Sequence, residues 1–146
     1  MTARPDAAPD GGSAVIEFSV AGLILLIPLI YLVVTLGRLQ AASYAVTSAA
    51  TAASAVTSRA ADTAPTGAAR QAAVLALRDH GFADAERSVA ITCDPSCTAP
   101  RAVVTARVTL DVSLPGAPAA FAATLPTHIT VTAHHTDEVA AYGYRP

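Results

Sequence analysis

The side chains that most invite a chemical reading lie near the start of the chain, in Gly11-Gly12-Ser13-Ala14-Val15-Ile16-Glu17-Phe18. Two glycines give way to small and branched apolar residues. One carboxylate then stands at the edge of a long uncharged stretch. An acid at the lip of a membrane helix costs free energy, up to about 2.5–3.5 kcal/mol if it lies deep. A nearby cation would offset that cost. Hydrolysis after Gly12 would create one, by freeing the α-amino group of Ser13. Glu17 lies one helical turn further on, at i+4, within reach of that amine or of its copy on a neighbouring subunit. The chemistry implied is proteolytic maturation, with this chain as the substrate.

A second pair of reactive groups, Cys93 and Cys97, frames Asp94-Pro95-Ser96. An Asp-Pro step favours a tight turn. A turn can bring two Cα atoms into the disulfide range of about 4.4–6.8 Å. In an oxidising compartment the two are expected to pair, with free thiols as the alternative. The spacing is not C-x-x-C, which argues against redox catalysis.

The histidines do not assemble a metal site. His134 and His135 are adjacent, so on a strand they point to opposite faces. His128 and His134 share a face but would stand roughly 20 Å apart. No metal, no cofactor and no small-molecule substrate is expected. There is no G-x-S-x-G, no phosphate-binding loop and no H-E-x-x-H, so the chain is not expected to be an enzyme. Asp137 and Glu138 read as solvated acids of a C-terminal tail. The net charge is −2 and all nine basic residues are arginine, without a basic run, which argues against a nucleic-acid partner.

These groups must be held by elements, and the hydrophobic pattern predicts which. Residues 1–12 carry two prolines, two glycines and three charges, and read as a leader with nothing to bury. Phe18 to Gly37 is uncharged throughout, between Glu17 and Arg38. As a helix it covers roughly 30 Å, the hydrocarbon thickness of a bilayer. Pro28 falls inside it and is expected to kink it. The helix is expected to continue to about Arg59. There Leu39, Ala42, Val46, Ala49, Ala53, Val56 and Ala60 form a seam of small side chains, facing either the chain's own domain or another subunit.

Asp62 to Gly67 breaks the helix. A second helix is predicted from Ala68 to His80, capped by Thr66 and stopped by Gly81. The period then becomes two. Val89, Ile91 and Cys93 mark one strand, and Val104 through Leu114 a second with an apolar face. A Pro/Ala-rich loop over 115–126 leads to a third strand, His128 to His134. The fold class is therefore α+β: a transmembrane helix extended into a long helix, a short second helix, and a three-stranded antiparallel sheet packed on the helices. The expected division is 1–12 leader, 13–37 transmembrane helix with the processing motif, and 38–146 exported helix extension and domain.

Gly12, Ser13 to Ile16, Glu17 and Phe18, followed by the apolar helix, resemble a type IV prepilin processing site. The form G-S-A-V-I-E-F is most similar to the TadE/TadF pseudopilins of Flp (tight adherence) pilus systems, of the kind found in actinobacteria. The resemblance covers residues 11 to about 37; beyond them it is the general plan of a long helix and a small domain ending in strands. Many members carry an A-A-R-x-A-A-R-like stretch, which only Ala49, Ala50 and Arg59 echo here.

In that family a membrane aspartyl peptidase cuts after the glycine, and the glutamate serves processing or assembly. The resemblance implies a minor pilin or pilus-assembly protein with prepilin peptidase, other pilin-like subunits, the assembly machinery and membrane lipid as partners. It implies a single pass through the cytoplasmic membrane, with the C-terminal domain outside. Arg38 alone would favour the opposite orientation; the motif, rather than that single charge, sets the expectation. The alternative is a membrane-anchored or secreted extracytoplasmic binding domain unrelated to pili.

Overall fold

The computed structural model describes residues 13–60, 66–85, 87–114 and 128–141. The leader, the Pro/Ala-rich loop and the terminal GYRP lie outside the described residues. Helix α1 spans Ser13–Arg59 and stays helical through Pro28, whose ring nitrogen has no hydrogen to donate to Ile24. The chain divides into two units, Met1–Val34 and Thr35–Pro146, so the division falls three residues before the predicted boundary after Gly37.

The first unit is the apolar part of α1. Its large side chains are turned outward on every side, as at Phe18, 81% exposed, and Leu25, 73% exposed. An all-round apolar helix has no single face to hide. The helix is long and apolar enough to cross a membrane.

The second unit is an α+β arrangement. Strands β1 (Arg87–Asp94), β2 (Val103–Ser113) and β3 (His128–Glu138) form an antiparallel sheet in the order β1-β2-β3. Alternation puts Val104, Ala106, Val108, Leu110 and Val112 of the central strand on one face, all fully or almost fully buried. Val89, Ile91, Val131 and Ala133 flank them, half-buried because their strands are edges. The seam of α1 meets this face. Ala42, Ala45, Val46, Ala49, Ala50 and Ala53 join one core with the sheet and with Ala69, Ala73 and Leu77 of α2 (Thr66–Asp79). The partner of the small-residue seam is thus the chain's own domain. Alanines carry little apolar area each.

Helix α2 ends as Gly81 predicts. Gly81 has φ +83°. Its N–H donates to Arg78 O at 2.9 Å, and Phe82 N–H donates to Leu77 O at 3.0 Å. This is the paired-bond helix stop that favours glycine at the left-handed position, with Phe82 and Leu77 in the same core. Thr66, expected just outside the helix, is its first residue.

The third strand corrects the sequence reading. It runs on to Glu138, and Ala102 and Val139 extend the pairing with a 2.9 Å bond from Val139 N–H to Ala102 O. Asp137 and Glu138 belong to a paired strand and not to a solvated tail. The outer face of the sheet is rich in hydroxyls: Thr109 and Thr132 lie 3.2 Å apart across the strands, and Thr130 donates to Asp111.

Candidate functional site

The processing motif sits on the first turns of α1. Gly12 lies outside the described residues. Ser13 is the first helical residue, so Glu17 follows it by one turn of continuous helix. Glu17 is exposed and has Ile16, Val20, Ala21 and Ile24 around it. Among the described residues its carboxylate makes no ion pair, the one such pair being Arg101 with Glu138. Phe18 projects from the same turn. Among the described residues the arrangement is an unpaired carboxylate on an apolar surface, one helical turn after Ser13.

Cys93 and Cys97 are joined, with Cα atoms 5.0 Å apart. The bridge closes the start of the β1–β2 connection, where Asp94–Pro95 is a cis peptide. The next turns are held by Ala99 N–H to Ser96 O and Ala102 N–H to Ala99 O, both 3.1 Å. Arg101 occupies the left-handed region at φ 62°. Its N–H donates to Val139 O at 3.0 Å, and its guanidinium reaches Glu138 at 3.3 Å.

Two clefts lie at opposite ends of the sheet. One, of about 380 Å³, is lined by Ser58, Arg59, Thr98, Pro100, Asp137 and Glu138. Ser58 Oγ donates to Asp137 Oδ2 across its wall, at 3.1 Å. The other, of about 400 Å³, is lined by Arg38, Phe82, Asp84, Asp111, Ser113 and His128. The extension of α1 therefore runs alongside β3 in the same direction, with Arg38 near His128 and Ser58 at Asp137.

His134 and His135 fall on opposite faces, as the strand reading requires, His134 outward and His135 half-buried on the core face. Among the described residues no group of three or more His, Cys, Asp or Glu side chains is placed to hold a metal ion.

The sequence reading missed Asp137 and the Arg38 cleft. For the first, Ala133 and Val139 keep the parity of the core face, but polar His135 and Asp137 stand between them and hide the alternation. The cleft joins residues from four separate segments, which no local pattern reveals. No protein-family model, no curated protein and no solved structure matches the chain.

Proposed function

We propose that the chain is a TadE-like minor pilin or assembly protein of a Flp-type pilus or related type II-like secretion system. A prepilin peptidase would cut between Gly12 and Ser13. Residues 18–37 would anchor the product in the cytoplasmic membrane, with the disulfide-bearing domain outside. The observation that carries this reading is the Glu17 carboxylate on an apolar helix, one turn after Ser13 and without an ion-pair partner among the described residues. In lipid such a charge needs a cation, and the freed Ser13 amine is the nearest one that maturation provides.

Glu17→Gln keeps shape and hydrogen bonding but removes the charge, whereas Glu17→Leu removes both. Both variants should still insert, and both should lose association with other pilin-like subunits. Co-purification and a count of surface pili are the measurements. Normal piliation with Glu17→Leu would sink the pilin reading. It would leave a membrane-anchored binding domain, the second reading, for which the two clefts of the α+β unit speak.

A further inference from the structure

The solvent face of the sheet has a cation at its centre. Arg107 stands midway along β2, exposed between the buried Ala106 and Val108. Its partners in register are Ala90 on β1 and His134 on β3, both exposed. Alternation places Thr105 and Thr109 beside it along its own strand, and Ser88, Thr92, Thr132 and Thr136 on its diagonals. All of these neighbours carry a hydroxyl. Diagonal neighbours in a sheet lie about 7–8 Å apart, within reach of a long side chain.

No carboxylate is among them. The acids of the same face, Asp94, Asp111 and Glu138, each stand four residues along a strand from the Arg107 row, about 13 Å away. Asp111 accepts from Thr130, and Glu138 pairs with Arg101. Among the described residues Arg107 forms no ion pair. The face also offers little to a protein partner. Among its described residues only Ala90 and Val103 are apolar, whereas protein interfaces are built around buried aromatic and aliphatic anchors.

We propose that this face binds a polysaccharide bearing uronate groups, with one carboxylate on Arg107 and the adjoining sugar hydroxyls on the surrounding threonines. A guanidinium presents parallel N–H donors that match the two oxygens of a carboxylate. His134 faces the same spot and has an N–H to donate even when neutral. Threonine hydroxyls both donate and accept, as sugar hydroxyls do. Thr109 and Thr132 already hydrogen-bond one another at 3.2 Å, which orders part of the surface before a ligand arrives. Arg107 is the one permanent positive charge among these side chains, and it balances the single charge of one uronate. The proposal needs neither the membrane anchor nor the cut after Gly12.

The test titrates the full chain, in non-ionic detergent at low salt, with tetragalacturonate by calorimetry. The fully methyl-esterified tetramer keeps the ring hydroxyls but loses the charge, and should bind about tenfold more weakly, as the loss of a charge-assisted contact gives. Arg107→Gln should weaken tetragalacturonate about tenfold as well and leave the ester unchanged. Thr105→Val with Thr136→Val should weaken both sugars, by about threefold. An unchanged circular dichroism spectrum is the check on folding. Arg70→Gln removes the same charge from an exposed position on α2 and should change nothing. A sulfated neutral tetramer, whose oxygens share one charge among three and accept more weakly, should bind less well than the uronate. No binding by the natural chain, or full affinity in Arg107→Gln, overturns the proposal. An equal loss in Arg70→Gln would reduce the effect to net charge, and sulfate binding as tight as uronate would reduce it to any anion; either result overturns the uronate assignment.

Discussion

A peptidase that cuts after Gly12 leaves Ser13 as the first residue of the mature chain. N-terminal sequencing of membrane-bound protein, in a cell with a matching peptidase, should therefore begin at Ser13. Recovery of Met1 or Thr2 as the terminus would end the processing claim. Gly12→Val should slow the cut, because an enzyme gripping extended backbone has little room for a branched side chain there. The one-turn helical spacing of Ser13 and Glu17 and the pairing of the cysteines were legible in the sequence because both are local. Asp137 was not, because the hydroxyl that it accepts from, Ser58, is 79 residues away. Contacts of that separation leave no spacing to read.

At the scale of elements, the two periodicities carried most of the fold. Helix α1 ends at Arg59 and the second strand spans the alternating run from Val104, as the pattern predicts. The third strand outran its prediction because His135 and Asp137 are polar residues on the apolar face, which hides the alternation. Gly81 offers a clean test of a single element. Its φ of +83° suits glycine, and a Cβ built there meets nothing within 4 Å. The cost of Gly81→Ala is then conformational and free of any clash, about 1 kcal/mol. Urea unfolding of the detergent-solubilised chain should show that loss with an unchanged slope. A loss of more than about 3 kcal/mol, the scale of core overpacking, would mean that the methyl group disturbs packing after all.

The whole molecule combines an exposed apolar helix with a small, alanine-rich core, and the disulfide supports the latter only modestly. A ring closed by neighbours four apart in sequence constrains the unfolded chain little, so Cys93→Ser should cost only about 2 kcal/mol. Denaturation with and without reductant measures it. Intact-mass analysis of unreduced, thiol-blocked protein should find no alkylated cysteine, and two modified thiols would defeat the pairing. The direction of α1 along β3 was not legible in advance, since a pattern names the faces that meet but not which ends.

That direction has a mechanical meaning. From Arg38 to Ser58 the helix rises about 30 Å, close to the length of the eleven-residue β3 beside it. A pull on the helix along its own axis therefore drags the whole seam past the sheet together. Such loading is in shear, where many contacts must yield at once, and not a peeling that breaks them in turn. For a domain tethered by one helix and tugged at its far end, the alanine seam would act as a friction joint, holding against tension despite modest stability at rest.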